Sequence, residues 1–342
     1  MFNEKKLMWL HGLTSAHVGS GDNLSYVDLP IQREMHTGFP KIEASSLKGA
    51  IRHHVEAQLK LENKDDDKNK KIENKNKVEI IFGRGSGEKL SDDGSAANEE
   101  VESSDKGAAS EMAISDARVL FFPVKSARGI FAWVTCPMVI KRFEQDCQIV
   151  EKNITAFKDL KDNDVIVCKD SKLQIENSIK KSKNNTKQNA VVMLEELVFE
   201  INESNAETAL DGWIGSMAKN FPLPEDLDDF KSRVILIPNN DFKYFVMQAT
   251  EVITRIAIDS DVGVVKSDVG ALFTEEYLPP ESVLYSLLFL KNKKKGDVDI
   301  EKTLNDYLNG KIVQIGGDAT LGKGMFRIKL NEGGMGDESE SK

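Results

Sequence analysis

Apolar positions recur along the chain with two different spacings, and each spacing predicts a type of element. One helical face is marked by four apolar residues at steps of four: Leu47, Ile51, Val55 and Leu59. The serines at 45 and 46, directly before this run, suit a helix N-cap. A helix beginning near residue 45 is therefore predicted.

Runs of β-branched and aromatic residues predict the strands. These runs cover residues 6–17, 112–124, 129–136, 191–201, 234–237, 244–247, 284–290 and 325–330. Helices are predicted from Pro137, around Trp213 and over residues 300–308. Residues 251–282 alternate well enough to form a two-stranded arm with a turn at residues 259–261. Strands that alternate with a few helices, several of them paired as hairpins, predict an α+β fold with a ferredoxin-like sheet.

Polar residues are concentrated in three stretches. Lys, Asn, Asp, Glu, Ser and Gly dominate residues 60–110, apart from an apolar piece at 78–87, and residues 150–190 are also polar. Such stretches bury too little apolar area to offset the entropy of ordering. They are predicted to be a mobile charged insertion and a second polar insertion, and residues 331–342 a disordered acidic tail. The remaining blocks are expected to form a single domain within residues 1–342.

Composition and charge are compatible with a large core and with a polyanionic partner. Of the 342 residues 40% are hydrophobic, and 16 are Phe. The formal net charge of −10 would argue against a polyanion, because phosphate binding relies on Lys and Arg. Much of the negative charge lies in the predicted charged insertion and in the tail, however, so it does not bear on the ordered part of the chain.

Cysteine spacing and hydropathy exclude several classes of protein. Cys136, Cys147 and Cys168 show no Cys-x-x-Cys spacing, so neither a zinc knuckle nor a disulfide framework is predicted. No apolar run approaches the length of about 20 residues that crosses a bilayer, and the first residues lack the pattern of a signal peptide. A cytoplasmic protein without a membrane partner is expected.

The most informative motif is the run IGGDATLGKG at residues 315–324, the glycine loop. It contains Gly316, Gly317, Gly322, Lys323 and Gly324. Bare backbone amides in such a loop can approach a phosphate closely, but a tight turn that needs positive φ accounts for the same glycines equally well. The loop is not a Walker motif, because the Gly-Lys-Ser/Thr order is absent.

The glycine loop resembles the carboxy-terminal signature of the RAMP superfamily of CRISPR proteins. Three further blocks resemble the backbone subunit of the type III-B Cmr effector complex. They are VDLPIQREMHTGFPKIEASSLKGAIR (27–52), SDARVLFFPVKSARGIFAWVTCP (115–137) and GALFTEEYLPPE (270–281). The four blocks span nearly the whole chain.

The resemblance implies a modified RRM-like RAMP palm with inserted loops and a β-hairpin thumb, here at residues 250–270. It implies polymerisation of copies of the chain, head to tail, along a CRISPR guide RNA, together with other Cmr subunits. It also implies endonucleolytic cleavage of the paired single-stranded target RNA at regular intervals, dependent on a divalent metal, Mg²⁺ or Mn²⁺.

Asp28 matches the acidic residue of the family motif VD-x-P-I-Q-R, so it is the predicted catalytic residue and metal ligand. A carboxylate there would hold a divalent ion at the cleaved phosphate or orient the attacking 2′-hydroxyl. Outside that motif, an Asp two residues before a Pro would more commonly cap a turn. His17, Glu275 and Tyr277 resemble family residues near the cut site and are predicted to be acid, base or positioning groups. A satisfied surface histidine, a solvated glutamate and a packed tyrosine explain these three equally well.

Guide-RNA contacts are predicted at basic residues within the matching blocks. Lys48 and Arg52 lie four apart on one helical face and could reach successive phosphates, although a solvated face is the default meaning of such a pair. Arg33 and Lys323 are further candidates, as are the glycines of the glycine loop. Contacts of this kind would bind a guide of any sequence and leave base recognition to pairing.

Other polar and aromatic residues are predicted to be structural. Adjacent helical residues such as His53 and His54 point about 100° apart, so they cannot share one metal ion. Three tryptophans lie in apolar runs and are expected in the core: Trp9, Trp133 and Trp213. Three isoleucines of the thumb could wedge between bases or pack on a neighbouring subunit: Ile253, Ile256 and Ile258.

Three functions fit these patterns. The first is a backbone subunit that also cleaves target RNA through Asp28. The second is a non-catalytic RNA-binding scaffold, with catalysis elsewhere in the assembly. The third, a guide-processing RAMP nuclease, is weaker, because such enzymes are metal-independent acid/base catalysts and the Asp28 motif is not theirs.

Overall fold

A computed structural model of the chain describes residues 2–21, 26–63, 67–84, 107–152, 154–157, 161, 163–175, 190–201, 206–220, 226–256, 258 and 272–331. The strands are Glu4–Gly12 (β1), Lys41–Ile42 (β2), Met112–Ile114 (β3), Ala117–Lys125 (β4), Phe131–Thr135 (β5), Ile166–Val167 (β6), Val191–Leu194 (β7), Leu197–Glu200 (β8), Val234–Leu236 (β9), Glu251–Ile256 (β10), Leu272–Tyr277 (β11), Val283–Leu290 (β12), Lys294–Lys295 (β13), Val298–Asp299 (β14), Ile312–Gln314 (β15) and Met325–Leu330 (β16). The α-helices are Ala44–Glu62 (α1), Lys68–Phe82 (α2), Pro137–Ile149 (α3), Ala206–Asn220 (α4), Leu227–Arg233 (α5), Asn239–Gln248 (α6) and Ile300–Leu308 (α7).

Ten strands form the main sheet, and this arrangement confirms the predicted α+β class. Eight of them follow the order β15-β16-β1-β12-β4-β5-β9-β6, while β2 pairs with β4 and β3 with β12. Strand β1 lies between β12 and β16, and its residues Leu7 to Leu10 are buried. Within the described part of the chain the ladders are antiparallel except for β5 with β9. The predicted core tryptophans and all three cysteines are buried in this structure.

Helix α1 has the predicted buried face but not the predicted cap. Its N-cap residue is Glu43, whose side chain makes no capping hydrogen bond. The first amides are instead satisfied from distant parts of the chain. Gln32 Oε1 accepts a hydrogen bond from Glu43 N at 2.7 Å, and Asp116 Oδ1 accepts one from Ala44 N at 2.9 Å. A carboxylate beside the helix N-terminus also complements the helix dipole, so the serines are not needed as caps.

Three of the predicted strands differ from the structure in more than their bounds. Residues 112–124 are divided between two strands, β3 and β4. Residues 191–201 form a hairpin, β7 with β8, because the chain reverses at Glu195, which adopts φ of +46°. Residues 244–247 belong to α6, whose buried residues Phe242, Phe245 and Val246 have helical spacing. A window of four residues was too short to show that spacing.

The predicted insertions contribute more order than their composition indicates. Residues 68–82 form α2, which packs its buried Val78, Ile81 and Phe82 beside α1. Within the second insertion, β6 joins the edge of the main sheet next to β9. Residues 85–106, residues 176–189 and the tail from residue 332 onwards lie outside the described residues.

The two-stranded arm predicted within residues 251–282 is present, but it extends beyond the predicted thumb. β10 pairs with β11 in antiparallel fashion from Glu251 opposite Tyr277 to Ile256 opposite Leu272. The returning strand is therefore residues 272–277, beyond the predicted bound of 270, and the predicted turn at 259–261 lies outside the described residues. In the part of the chain that the structure describes, no helix is long and apolar enough to span a bilayer.

Candidate active site

Four segments meet around β11. Besides β10 on one edge, β11 has a parallel bridge from Glu275 to Leu29 on the other, so residues 28–31 lie beside it like a short extra strand. The segment after β1 joins the same assembly, since Ala16 bridges Leu278 and Gly19 bridges Ile31. The glycine loop completes it, because Gly324 N donates to Ser15 O at 2.9 Å.

Asp28 is exposed and is held by a single residue, Thr274. Both the backbone N and the Oγ1 of Thr274 donate to Asp28 Oδ2 at 2.8 Å, and Asp28 N donates to Thr274 Oγ1 at 3.0 Å. These hydrogen bonds, the backbone one foremost, lower the pKa of Asp28 below its ordinary value. The carboxylate is therefore kept charged and oriented while it remains open to solvent.

Glu275 and Tyr277 lie in a separate, buried cluster with two residues that the sequence did not single out. Tyr277 Oη lies 2.6 Å from Glu275 Oε2 and 2.6 Å from Asp318 Oδ2. Arg255 forms ion pairs of 2.6 Å with both carboxylates and donates to Tyr277 Oη. Burial, followed by the two carboxylates, raises the pKa of Tyr277, so the phenol stays protonated at neutral pH.

His17 lies at the edge of this cluster with a defined tautomer. Its Nδ1 lies 2.7 Å from the carbonyl oxygen of Glu276, which can only accept, so Nδ1 carries a proton. Nε2 is then the nitrogen that can accept a proton in the neutral ring, and it faces Glu275 Oε1 at 3.5 Å. The imidazole also meets the Tyr277 ring edge-on, with centroids 5.7 Å apart. A Cβ at Gly19 would lie 2.6 Å from Nε2, so the glycine keeps that nitrogen clear.

The glycine loop is pressed against the backbone of His17. Gly316 has φ of +94°, a Cβ there would lie 2.3 Å from His17 O, and Gly317 N donates to the same oxygen at 2.8 Å. Lys323 lies with its ammonium 4.8 Å from the centroid of the Tyr277 ring, the geometry of a cation–π contact. The structure thus brings the glycine loop together with three of the predicted catalytic residues, His17, Glu275 and Tyr277. Asp28 lies apart from them and is connected to them through its contact with Thr274 of β11.

Arg33 differs from the prediction, because its guanidinium is engaged inside the protein. It donates to Gly38 O at 2.9 Å and Val246 O at 2.8 Å, and pairs with the buried carboxylate of Glu276. Glu276 also accepts from Ile31 N at 3.0 Å and Thr250 Oγ1 at 2.8 Å. These contacts favour a structural role for Arg33, anchoring the segment that carries Asp28, over the predicted contact with RNA.

Lys48 and Arg52 also have partners within the fold. Lys48 Nζ donates to Ser110 Oγ at 2.9 Å and Met112 O at 3.2 Å, and burial lowers the pKa of Lys48. Arg52 pairs with Glu56 at 2.9 Å, one helical turn along α1. These contacts give both side chains a local structural role, and their binding of guide RNA stays a prediction. The two adjacent histidines diverge as predicted: His53 is exposed, and His54 Nε2 lies 3.1 Å from Tyr307 O.

A divalent metal at Asp28 would need ligands from beyond the described residues. Among the described residues, no group of three or more His, Cys, Asp or Glu side chains is placed to hold an ion. Mg²⁺ commonly uses one or two protein carboxylates and completes its shell with water and phosphate oxygens. The donor set at Asp28 therefore fits an ion shared with RNA phosphate and does not fit an all-protein cage.

Sequence patterns did not identify Arg255 and Asp318, whose contacts are with residues remote along the chain. Arg255 is the one basic residue of β10, and Asp318 lies within the glycine loop itself. Both positions carried a signal, a lone basic residue in a β-type strand and a carboxylate among glycines. Arg255 reaches Tyr277, 22 positions away, through the pairing of β10 with β11. Asp318 reaches it across 41 positions through the packing of the glycine loop.

The sequence and the fold are similar to those of known proteins. A family model of the RAMP superfamily matches residues 9–327. The CRISPR system Cmr endoribonuclease Cmr4 of Pyrococcus furiosus is 33% identical over 329 residues, covering 95% of each chain. The crystal structure of oligomeric Cmr4 from Pyrococcus furiosus is 28% identical, with a TM-score of 0.65 over 97% of this chain and 100% of that one. A chain of the type III-B Cmr-beta complex bound to cognate target RNA is 20% identical, covers 96% of this chain and 98% of that one, and has a TM-score of 0.60, a likeness of fold.

The chain belongs to the RAMP superfamily. Within that superfamily it is a homologue of Cmr4, which it matches over nearly its whole length in sequence and in structure. The resemblance drawn from the four sequence blocks is thereby confirmed.

Proposed function

We propose that this chain is a repeated backbone subunit of a type III-B CRISPR RNA-guided complex that cleaves complementary target RNA at Asp28. The carrying observation is the exposed Asp28 carboxylate, oriented and kept ionised by Thr274, in a homologue of the Cmr4 endoribonuclease. Its partners would be a CRISPR guide RNA, single-stranded target RNA, further copies of itself and other Cmr subunits.

Cleavage would divide its chemistry between the two sides of β11. Asp28 is placed to orient a reacting group or, with RNA phosphate oxygens, to hold Mg²⁺ or Mn²⁺. Such an ion would neutralise charge on the cleaved phosphate. His17, with its proton fixed on Nδ1, offers Nε2 to accept a proton from a 2′-hydroxyl, and Glu275 lies beside that nitrogen. Tyr277, held protonated and buried, donates its one proton within the cluster, to Glu275 or Asp318, and so helps to position these carboxylates.

The guide would be held by the glycine loop. Gly316, Gly317 and Gly322 are exposed, so an RNA backbone can approach the loop without meeting side chains. Lys323 adds the positive charge beside them. A grip of this kind acts on phosphate and ribose alone, which supports binding of guides irrespective of their sequence.

A pure scaffold is the second candidate. Under this reading the chain binds guide and target RNA in the same way, but another subunit performs any cleavage.

Substitution of Asp28 separates the two candidates. The complex is assembled on guide RNA with Asp28→Ala and mixed with labelled complementary RNA and Mg²⁺ or Mn²⁺. We expect the periodic cleavage rate to fall about 100-fold or more, the scale of a lost acid/base or metal-binding group, with target affinity unchanged. Asp306→Asn, which alters an exposed carboxylate of α7, is the matched control and should cut normally. Undiminished cutting by Asp28→Ala removes Asp28 from the mechanism, and a wild-type complex that binds but never cuts supports the scaffold.

A further inference from the structure

Arg255 makes an unusual set of contacts for a residue of the thumb. Its guanidinium reaches out of β10 to Glu275, to Tyr277 and to Asp318, which lies in the glycine loop. Only one quarter of the Arg255 side chain is exposed, a relative accessibility of 25%. Arg255 lies opposite Phe273 in the β10–β11 ladder, so its polar contacts with Glu275, Tyr277 and Asp318 are additional to strand pairing.

Two carboxylates contact the hydroxyl of Tyr277, which has only one proton to donate, and this arrangement calls for a nearby cation. Its hydroxyl lies 2.6 Å from an oxygen of Glu275 and 2.6 Å from an oxygen of Asp318. A phenol has one proton and can donate it to one carboxylate at a time. Two carboxylates converging on one oxygen repel each other unless a positive group lies between them. Arg255 supplies that group and donates to the phenol oxygen as well.

The backbone around Asp318 indicates that its position is specified. Asp318 adopts φ of +58°, in the left-handed region that non-glycine residues seldom occupy. In that conformation its carboxylate reaches both Arg255 and Tyr277, and its carbonyl accepts from Leu321 N at 2.9 Å to close the loop. One residue thus ties the glycine loop to the thumb strand and to the buried cluster.

We propose that Arg255 and Asp318 are positioning residues for target cleavage, which act together by fixing Glu275 and Tyr277 beside His17. This inference rests on the proposed function, since it assigns the pair a task in the same reaction. Arg255 pairs with both Glu275 and Asp318 and so holds the two carboxylates together. Through Asp318, this ion pair links the thumb strand to the glycine loop. Loss of either partner releases Glu275 from its place 3.5 Å from His17 Nε2.

The test measures single-turnover cleavage by assembled complexes at saturating target RNA. Arg255→Ala and Asp318→Asn are each expected to lower the rate about tenfold, while target affinity stays within twofold of wild type. Arg255→Lys should recover part of the loss, because an ammonium restores the charge but cannot bridge three acceptors in a fixed plane. Arg233→Ala is the matched control. Arg233 also pairs with a carboxylate, at 3.1 Å from Asp229, stacks 5.3 Å from an aromatic ring and is 21% exposed.

A double-mutant cycle distinguishes positioning from general support of the fold. If the pair acts as one unit, the Arg255→Ala, Asp318→Asn variant cuts no more slowly than the slower single variant. A merely structural role would lower the melting temperature and the yield of assembled complex but leave the rate per assembled complex unchanged. Should Arg255→Ala fail to assemble, the inference is tested by the two milder variants. Asp318→Asn should still cut more slowly than wild type, and Arg255→Lys should show a smaller loss.

Wild-type rates in Arg255→Ala and Asp318→Asn, or losses that multiply in the double variant, overturn the inference. Failure of the proposed function gives a different result, because the wild-type complex itself then leaves target RNA intact. A slow Arg255→Ala beside a fast Arg233→Ala, with equal target binding, supports it.

Discussion

The two sides of β11 are built in opposite ways. Asp28 is exposed and depends on one neighbour, Thr274, whereas Tyr277 is buried among Glu275, Arg255 and Asp318. Under the proposed function Asp28 meets RNA and an ion and therefore needs an open position, whereas hydrogen bonds within a cluster of charges are stronger out of water. On that proposal, the site separates the reacting carboxylate from the groups that are arranged for proton transfer.

Alternation along a single strand makes this separation possible. Thr274 and Glu276 contact the segment that carries Asp28, while Glu275 and Tyr277 contact the thumb and the glycine loop. Successive side chains of a strand point to opposite faces, so four consecutive residues serve two sites. Variants that disturb one side and spare the other are therefore the means of testing the division.

Gly316→Ala is expected to have the largest effect and to act on the buried side. A Cβ there would lie 2.3 Å from His17 O at a φ of +94°, so the loop and the histidine must separate. We expect the free energy of unfolding to fall by about 3 kcal/mol, which denaturant titration would measure. Any complex that still assembles should cut poorly, because His17 is displaced while Asp28 keeps its contact with Thr274.

Gly322→Ala is the control for that experiment within the same loop. Its φ of +72° is also left-handed, but a Cβ there meets nothing within 4 Å. The cost should be about 1 kcal/mol, that of the backbone conformation alone. Equal losses in the two variants would show that contact with His17 does not set the loop.

Features of the fold that depend on local spacing could be predicted from the sequence. The α+β class, the buried face of α1 and the strand β12 follow from local spacing, and local spacing survives in the folded chain. The helix α6 was missed because a short apolar run has the same appearance in a helix and in a strand. The hairpin of β7 with β8 was missed because its turn, at Glu195 and Glu196, contains no Gly, Pro, Asn or Asp.

Site residues were predicted through family motifs, and their partners were not. Asp28, Glu275 and Tyr277 lie in motif blocks, but whether a basic residue faces RNA or the interior depends on remote contacts. Arg33 is engaged by Glu276, 243 positions further along the chain. Arg255 contacts Asp318, 63 positions further along the chain. No spacing pattern records such pairs, which arise from the crossing of segments in the folded protein.

Thr274→Val should have an intermediate effect and act on the exposed side alone. Valine keeps the shape and the backbone N–H but removes the Oγ1 that both donates to Asp28 Oδ2 and accepts from Asp28 N. We expect the cleavage rate to fall roughly tenfold, about 1.4 kcal/mol, the scale of one hydrogen bond to a charged group. Single-turnover cleavage at saturating target measures it, and the melting temperature should change little.

Two variants make the Thr274 experiment specific. Thr274→Ser keeps the hydroxyl and should cut close to the wild-type rate. Thr254→Val alters the cross-strand neighbour of Thr274 in the same β10–β11 ladder, at an exposed position, and should also cut normally. A slow Thr254→Val would mean that β-ladder stability, and not the hold on Asp28, controls the rate.

The smallest effects are expected at two lysines, which sharpen the comparison for guide binding. Lys323→Met removes a charge beside the exposed glycines, so guide affinity should fall a few-fold and the slope of log K against log salt should decrease by about 0.7, the contribution of one phosphate contact on a single strand. Lys48→Met removes an ammonium that donates hydrogen bonds to Ser110 and Met112. We expect guide affinity and the salt slope to stay unchanged, and the free energy of unfolding to fall by about 1 kcal/mol. Filter binding of a guide-length RNA across a salt series measures both variants. Because the two substitutions change net charge equally, a general electrostatic effect would shift both slopes alike, and that result would contradict a localised grip at the glycine loop.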